Sequence, residues 1–457
     1  MQREAFRLDR EKLSALREDE VRRFRAKTSK SRALYERSRA VMPNGVPCSW
    51  MAAFYPGTEI FAATGSGCHF EDVDGNRYLD MTQCDLSMAC GFGPEAVTRA
   101  VAERFRDGSH FLLPTEDAIA VCRLLADRFG MPFWQFTLSA SAANTEAIRI
   151  ARFATGRDKV LVFDGKYHGH IDETLVGAAP AGAAPENLGL PRDVTARTVV
   201  VPFNDLAAVE RALKSGEVAC VLAEPVMTNI GVIHPDDGFH AALRRLTRSA
   251  GALLIIDETH TQVAAYGGFT RLWRLQPDIL TIGKCLGGGV PVGAYGVTPA
   301  LNALIEAHTE PQVDHGLTLA LGGTTYGNAL TLAAARAALE HVLTAAAYAR
   351  VLELGARLAD GIDALIARHG LPWRAHRLGN RSGLCLRPTL PRNAQEASAC
   401  IDKALNLATR AFMANRGIWE PIYIHGPSIS FAHTADDVET YLDRLDEGLL
   451  WLLESRL

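Results

Sequence analysis

The sequence lacks the features that place a protein at a membrane or on nucleic acid. No apolar run approaches the roughly 18 residues of a membrane span. Lysine and arginine total 48 against 52 acidic residues, and a net charge of −4 gives no electrostatic basis for binding nucleic acid or an anionic membrane. The N-terminal stretch is rich in charge and has no apolar segment of the secretory type. We therefore expect a cytoplasmic protein without nucleic-acid or membrane partners.

Disulfide and metal motifs are also missing. The nine cysteines are odd in number and include no Cys-x-x-Cys pair, which favours reduced thiols. His168 and His170 stand close together, but no third ligand follows at a suitable spacing. We therefore predict no metal site.

Lysine is scarce, since the chain has eight, and seven of them lie mostly among charged or turn residues. The eighth, Lys284, follows an apolar strand predicted at 279–282 and precedes the glycine run 287–289. Glycine lets a ligand or another backbone come close. A lysine withdrawn from water there is an amine nucleophile suited to Schiff-base chemistry. We predict that Lys284 is buried and catalytic; a helix-starting lysine beside a tight turn is the alternative.

Asp257 stands at the carboxyl end of another apolar run, residues 252–256. Apolar residues without alternation predict a strand covered on both faces, as in a parallel sheet. Ligands of open α/β sheets gather at such strand ends, and a carboxylate there can keep a pyridine nitrogen protonated. An aspartate that only caps the following turn is the alternative.

These two stretches together resemble the class III pyridoxal-phosphate aminotransferases of fold type I, and most nearly the glutamate-1-semialdehyde aminomutase-like members. The resemblance runs from about residue 40 to the C-terminus. It implies an α/β protein whose large domain has a mostly parallel sheet sandwiched by helices. The C-terminal part and the N-terminal segment would form a smaller α+β domain. We expect an N-terminal helix with part of the small domain at 1–79, the cofactor-binding domain at 80–330 and the small C-terminal domain at 331–457.

The family's phosphate motif, Ser-Gly-Ser/Thr-Glu-Ala-Asn, is matched at 139–144 by Ser-Ala-Ser-Ala-Ala-Asn. A strand ending near Leu138 and a helix starting near Ser141 would present free backbone N–H groups to a phosphate. The resemblance implies that Ser139, Ala140 and Ser141 bind the phosphate of pyridoxal 5′-phosphate. It also implies that Thr324 binds this phosphate across the interface of a homodimer with shared active sites.

The resemblance implies further contacts with the cofactor ring. Tyr167, in Tyr-His-Gly, would stack on the ring, and Glu224 would lie near it in a structural role. Thr259 would pack on the ring face, with His260 near the ring hydroxyl.

The segment after Asp257 departs from the family pattern. After Asp-Glu the family continues Val-x-Thr-Gly-Phe-x-Arg, whereas residues 259–264 read Thr-His-Thr-Gln-Val-Ala. A similar Gly-Phe-Thr-Arg stands six residues later, at 268–271, which predicts a longer loop.

The substrate is expected near Trp50 and Met51, where several amino-acid-specific members of the family have an arginine. No arginine is close in this chain. We therefore expect an apolar contact and a larger or less acidic donor, such as an ω-amine or a β-amino acid. A core role for the tryptophan is the alternative.

The leading hypothesis is an aminotransferase that moves an amino group from a small-molecule amine or amino acid to a 2-oxo acid through a Lys284 Schiff base. Asp257 would stabilise the protonated ring. An aminomutase, which moves the amino group within one molecule, is the alternative. A nucleotide-binding module and a non-catalytic relative of the family are further alternatives. Against the nucleotide-binding module, this chain has no Gly-x-Gly-x-x-Gly after a first strand.

Other segments carry simpler structural expectations. We predict a polar helix at 1–40, placed either across a partner subunit or as a loose arm, and two short strands within 67–80. Residues 94–128 and 329–365 are expected to be helical, and 178–185 a loop.

Overall fold

The computed structural model describes residues 8–54, 56–180, 182–309, 317–421 and 426–455. The chain forms two compact units, one made of residues 1–94, 349–390 and 398–457 and a larger one made of residues 95–348 and 391–397. N-terminal and C-terminal segments thus share the smaller unit. The predicted domain boundaries at residues 79 and 330 differ from the limits of these units, at residues 94 and 348.

The helices are α1 (Arg10–Lys27), α2 (Ser29–Ser38), α3 (Glu95–Asp107), α4 (Glu116–Phe129), α5 (Ala140–Thr155), α6 (Leu206–Leu213), α7 (Phe239–Ala250), α8 (Gly268–Leu272), α9 (Pro299–Thr309), α10 (Ala329–Ala337), α11 (Ala345–Arg368), α12 (Ala394–Ser398), α13 (Lys403–Asn415) and α14 (Ala435–Leu453). No helix in the described ranges is both long enough and apolar enough to cross a bilayer.

The strands are β1 (Ala62–Ser66), β2 (His69–Asp72), β3 (Arg77–Asp80), β4 (Phe133–Thr137), β5 (Lys159–Phe163), β6 (Val176–Ala179), β7 (Gly182–Pro185), β8 (Thr198–Val201), β9 (Val218–Ala223), β10 (Leu253–Asp257), β11 (Ile279–Ile282), β12 (Gly293–Val297), β13 (Arg374–Leu378), β14 (Arg381–Cys385) and β15 (Ile418–Trp419).

A seven-stranded sheet forms the centre of the larger unit, in the order β4-β12-β11-β10-β9-β5-β8. The strands from β11 to β8 pair in parallel, and β12 is antiparallel to both β11 and β4. This mostly parallel α/β sheet confirms the predicted fold class. Parallel strands need crossover connections, which here carry helices such as α6 and α7 between successive strands.

Alternate residues of the central strands pack into two separate cores, one on each face of the sheet. Val160, Val162 and Ile255 face one core, which also contains residues of α5 and α9. Leu161 and Ile256 face the other, with residues of α6 and α7. The unbroken apolar runs in the sequence are therefore explained by helices covering both faces.

The smaller unit is built around a four-stranded sheet in the order β1-β2-β3-β15. Phe24 of α1 is fully buried in its core beside Tyr78 and Trp419. Helix α1 packs on α13 of this same unit. The described part of the predicted N-terminal helix is therefore not a loose arm. Its placement across a partner subunit stays a prediction, and residues 1–7 lie outside the described residues.

Two local predictions need correction. The segment 178–185 is not a loop, because β6 and β7 pair as an antiparallel hairpin of small residues. The predicted helix at 329–365 is interrupted, because a π-helical turn at Ala338–Val342 separates α10 from α11. The two strands predicted within 67–80 are present as β2 and β3, with Asp74 and Gly75 between them.

Candidate active site

Asp257 and Lys284 follow neighbouring parallel strands. Strand β10 ends at Asp257, which pairs with Thr281 of β11, and Lys284 comes three residues beyond Thr281. Because parallel strands end at the same edge of a sheet, the two residues lie at the same edge. The predicted pair of a carboxylate, Asp257, and an amine, Lys284, therefore comes from the ends of two adjacent strands.

The carboxylate of Asp257 is buried and held by three donors. Its Oδ2 accepts hydrogen bonds from Asn144 Nδ2 at 2.8 Å and from His168 Nδ1 at 2.9 Å. Its Oδ1 accepts one from the backbone N–H of Thr259 at 2.9 Å. Thr281 completes the cluster, since its hydroxyl donates to Asn144 Oδ1 at 2.7 Å.

These contacts determine the charge of Asp257. Burial alone would raise the pKa of its carboxyl, but the hydrogen bond and charge of His168, with the hydrogen bonds of Thr259 and Asn144, lower that pKa to about 2. The group is consequently a carboxylate throughout the physiological range. A buried negative charge at this edge is suited to a cationic partner, such as a protonated ring nitrogen.

Lys284 has an unusual backbone conformation. Its φ is +50°, in the left-handed region, and it begins a short 3-10 helix, Lys284–Gly287, that ends at Gly288 with φ +59°. Conformations of this kind are costly for a residue with a side chain and persist where the surroundings impose them. Lys284 is partly exposed, which corrects the prediction that it is buried; the turn places it at the open edge of the sheet.

The predicted phosphate seat has the expected elements. Strand β4 ends at Thr137, and Ser139 is the N-cap of α5, its hydroxyl accepting a hydrogen bond from Ala142 N at 3.2 Å. The first turn of α5 therefore presents backbone N–H groups that no earlier helical carbonyl can accept. Ala140, which replaces the family's glycine, has its N within 3.0 Å of where a Cβ on Gly283 would lie.

Ser141 and Tyr167 belong to two segments that touch. A Cβ on Gly169 would lie 2.0 Å from Ser141 Oγ, so only glycine fits at that position. The hydroxyl of Ser141 accepts a hydrogen bond from the backbone N–H of His170 at 3.3 Å. The loop that carries Tyr167 is thereby fixed against the start of α5. The ring of Tyr167 is 42% exposed, which leaves a face for a flat ligand.

Glu224 follows β9 and is buried, with Thr228 as partner through both its N–H and its hydroxyl. Thr259 is also buried, whereas His260 is partly exposed. Thr324 lies on the exposed surface of the larger unit. Trp50 and Met51 belong to the short helix Ser49–Phe54 of the smaller unit and are 47% and 39% exposed, which does not fit a core role for the tryptophan.

Arg271 belongs to the displaced Gly-Phe-Thr-Arg segment. Its guanidinium donates to the backbone oxygens of Asp127 and Arg128, at the C-terminal end of α4. A cation at that end of a helix is favourable for the last carbonyls and the helix dipole. Arg271 therefore has a structural partner. Its segment forms α8, and the backbone N–H of Thr270 in this helix donates to the carboxylate of Glu258.

Among the described residues, one group combines metal-ligand side chains. Cys68, His69 and Asp437 of the smaller unit each place one ligand atom within 4.8 Å of the others. The thiol of Cys68 donates to Asp437 at 3.4 Å, and Asp437 also forms the capping box of α14 with Thr434. Hydrogen bonding and capping account for this group. It lies outside the residues considered from sequence, where we predicted no metal site.

Sequence reasoning missed three residues of the cluster around Asp257. From sequence, His168 was considered as a metal ligand, Asn144 only as the last residue of the phosphate motif, and Thr281 only as part of a strand. For Thr281 a signal was available in the sequence, because two neighbouring parallel strands that end at Asp257 and near Lys284 place Thr281 beside Asp257. Gln262 was noted only as a departure from the family pattern, yet it is almost fully buried and donates to the carbonyl of Gly283, the residue before Lys284.

Comparisons with known proteins agree with this geometry. Residues 51–404 match the model of the family described as aminotransferase class-III. A protein named glutamate-1-semialdehyde 2,1-aminomutase from an Anaeromyxobacter species is 35% identical over 427 residues, covering 91% of this chain and 97% of the relative. Among solved structures, a glutamate-1-semialdehyde aminomutase from Pseudomonas aeruginosa PAO1, with one lysine changed to alanine and in complex with PMP, is 37% identical. It covers 98% of this chain and 100% of that chain, with a TM-score of 0.93.

An omega-transaminase from Sphaerobacter thermophilus is also similar. It is 28% identical, with a TM-score of 0.85, over 92% of this chain and 97% of that one. The similar proteins thus include aminomutases, which move an amino group within one molecule, and a transaminase, which moves it between two molecules.

Proposed function

Since this chain belongs to the class-III aminotransferases and its cofactor is pyridoxal phosphate, we propose that it is an aminomutase, which moves an amino group between two carbons of one substrate. The observation that carries this proposal is the match at 35–37% identity, over nearly the whole of both chains, to proteins named glutamate-1-semialdehyde aminomutase. This reading was the alternative from sequence and now takes the place of transfer to a 2-oxo acid.

The residues at the sheet edge fit the cofactor chemically. Pyridoxal phosphate presents an aldehyde, a ring nitrogen and a phosphate. The chain offers an amine at Lys284, a carboxylate held ionised at Asp257, and the N-terminus of α5 beginning at Ser139 and Ala140. Each of these three groups thus has a partner of suitable chemistry. Tyr167 and Thr259 would contact the ring, with Glu224 and His260 close to its edge.

The chain's own residues have distinct roles in this proposal. When bound, the cofactor withdraws electrons from the carbon that carries the amino group. Lys284 would hold the cofactor aldehyde through its Nζ, and the same amine, once free, would carry a proton to or from the substrate carbon that bears the amino group. Asp257 would keep the ring nitrogen protonated, and His168 and Asn144 would keep Asp257 ionised and oriented.

Transfer between two molecules is the second candidate. Its support is on the substrate side: Arg271 is engaged at the end of α4, and Trp50 and Met51 have no arginine beside them in sequence. A donor without a small acidic group, such as an ω-amine or a β-amino acid, would suit such a site. The similar omega-transaminase agrees with this candidate.

We also propose a homodimer with shared active sites. Thr324, expected to bind the phosphate of the opposite subunit, is on the exposed surface of a single chain. Neighbouring exposed positions include Gly322 and Gly323. A second copy covering this segment would place a threonine hydroxyl at the interface.

The experiment that separates the two candidates supplies glutamate-1-semialdehyde to the purified holoenzyme without any oxo acid. For the aminomutase, we expect a product with the amino group moved from carbon 2 to carbon 1, formed without an acceptor. A parallel assay combines amine or β-amino-acid donors with pyruvate or 2-oxoglutarate. Turnover only in this second assay, with ping-pong kinetics, would favour transfer and overturn the aminomutase.

The assignment of Lys284 has its own test. Lys284→Ala should abolish turnover and the visible absorbance of the bound cofactor, because the amine that holds the aldehyde is gone. Borohydride reduction of the unaltered holoenzyme should leave a pyridoxyl group on the peptide containing Lys284. A label on another lysine would contradict the assignment; Lys403→Ala, on a helix of the smaller unit, is the matched control.

A further inference from the structure

Gln262 lies between the loop that follows Asp257 and the turn that presents Lys284. It is 3% exposed, and it replaces the glycine that the resembling family has at this place. A large buried amide where a glycine is usual must fill space and satisfy its own donors.

Both N–H groups of the Gln262 side chain are used. Nε2 donates to the carbonyl of Thr259 at 3.2 Å and to the carbonyl of Gly283 at 2.9 Å. Gln262 is itself fixed, because its N–H donates to Glu258 O at 2.8 Å and its carbonyl accepts from the Tyr348 hydroxyl at 2.7 Å. Because Gln262 is held both at its backbone and at its side-chain amide, the position of that amide is fixed.

Gly283 is the first residue of the turn that contains Lys284, and its carbonyl points to Gln262. This carbonyl also accepts a hydrogen bond from Leu286 N at 3.2 Å, which closes the turn with Lys284 at its second position. On its other side, Gly283 packs against Ala140 so closely that a Cβ would lie 3.0 Å from Ala140 Cβ. The peptide between Gly283 and Lys284 is therefore held by the start of α5 and by Gln262.

This arrangement explains how Lys284 keeps a positive φ. The left-handed conformation is energetically unfavourable for a residue with a side chain. Such a conformation persists only where neighbouring contacts determine it. Fixing the preceding carbonyl fixes the plane of the peptide that leads into Lys284, and with it the direction from which its side chain starts.

We propose that Gln262 is a positioning residue for Lys284, holding the Gly283 carbonyl so that the lysine amine starts from one fixed direction at the sheet edge. This inference rests on the proposed role of Lys284. It adds a residue from the segment where the sequence departs most from the family pattern.

The test compares Gln262→Leu with Gln262→Asn. Leucine keeps the volume and removes both donors, so it leaves the Gly283 carbonyl with one partner fewer; asparagine keeps the amide on a shorter side chain. For the leucine variant we expect capture of pyridoxal phosphate by the apoprotein, followed by visible absorbance, to slow at least about tenfold. Its absorbance should change with pH at a midpoint displaced by more than about half a pH unit. The asparagine variant should be intermediate.

A second measurement separates positioning from general damage to the site. Pyridoxamine phosphate has no aldehyde and cannot be held covalently, so its dissociation constant reports the rest of the cofactor site. We expect that constant to stay within about twofold in Gln262→Leu. Gln276→Leu, the same change on the surface of the same unit, is the matched control for both measurements.

The outcomes are distinct. Unchanged capture rate and unchanged spectral midpoint in a folded Gln262→Leu would overturn the positioning role while leaving Lys284 in place. Equal loss of pyridoxamine phosphate and pyridoxal phosphate binding would assign Gln262 a purely structural role. A borohydride label on a residue other than Lys284 in the unaltered protein would refute the proposed function and this inference together. If Gln262→Leu does not fold, the asparagine variant decides by the same two readouts.

Discussion

Asp257 in the larger unit and Glu420 in the smaller one are carboxyls at the end of a strand, yet their pKa values shift in opposite directions. Burial raises the pKa of Glu420 to about 7, because the hydrogen bond from Tyr441 and the charge of Arg410 offset it only in part. Asp257 is buried too, yet its pKa falls to about 2. The difference lies in the donors within the described residues: Asp257 accepts three hydrogen bonds, one of them from the His168 imidazole, whereas Glu420 accepts one, from the Tyr441 phenol at 2.7 Å.

The surroundings of Glu420 are apolar. It lines a cavity of about 90 Å³ together with side chains such as Phe412, Met413 and Leu449. The guanidinium of Arg410 lies over the Trp419 ring at 4.6 Å from its centroid. The number of donors, more than burial, therefore decides whether a carboxyl at a strand end is a permanent charge or a group that titrates near neutrality.

The largest expected effect comes from removing the charge of Asp257. In Asp257→Asn, we expect kcat to fall about 10²–10³-fold, because a neutral amide cannot stabilise a protonated ring nitrogen. The matched control is Asp205→Asn, since Asp205 is the N-cap of α6 and asparagine caps a helix equally well. Steady-state kinetics of both holoenzymes check this. Full activity in a folded Asp257→Asn would mean that the negative charge is not needed.

A smaller effect is expected from removing one donor of Asp257. His168→Phe keeps a ring in place but removes the hydrogen bond and charge that lower the pKa of Asp257. That pKa should therefore rise, so the carboxylate is lost at a higher pH and the acid limb of kcat/KM moves upward. We expect kcat near the pH optimum to fall about tenfold. His168→Gln, whose amide can still donate, should move the acid limb less; an unmoved limb in His168→Phe would show that His168 does not set the ionisation of Asp257.

The edge of the sheet was predictable because its signals are local. Unbroken apolar runs followed by Asp257 and Lys284 predict two covered strands and two functional ends, and β10 and β11 end within these runs. The start of α5 was predictable from small residues after a strand. In each case, the chemistry and the element that carries it lie within a few residues of one another.

The contacts around these ends were less predictable because they join distant segments. Asn144, His168 and Asp257 come from three separate elements, and only the folded sheet brings them together. The partial exposure of Lys284 depends on a turn held by Gln262, which sequence spacing does not express. The π-helical turn between α10 and α11 likewise follows no breaker residue, since the segment is rich in alanine and leucine.

In the smaller unit, Glu420→Gln should alter the free energy of unfolding and leave catalysis unchanged. The folded pKa of Glu420 lies above the value of 4.5 for an unperturbed glutamate, so the folded state retains a proton that the unfolded state loses as pH rises from about 4.5 to 7. The free energy of unfolding should therefore decline over that range. Glutamine removes the dependence, and the variant should gain about 2 kcal/mol relative to the parent between pH 5 and pH 8.

Urea unfolding of the full chain at these two pH values measures that gain. Glu353→Gln, an exposed change on α11, is the matched control and should show the same difference from the parent at both values. A gain for Glu420→Gln that is equal at pH 5 and pH 8 would mean that Glu420 does not titrate in this range.

The smallest expected effect comes from making the surroundings of Glu420 still poorer in donors. Tyr441→Phe removes the phenol that donates to Glu420 Oε1, and with it a hydrogen bond that lowers the pKa of that carboxyl. The pKa of Glu420 should therefore rise further, so the decline in the free energy of unfolding continues to a higher pH than in the parent. The loss at pH 8 should be about 1 kcal/mol, measured by the same urea titrations. The double variant of Tyr441→Phe with Glu420→Gln should show no such extension, because the group that titrates is absent; an extension that persisted in it would place the titrating carboxyl elsewhere in the smaller unit.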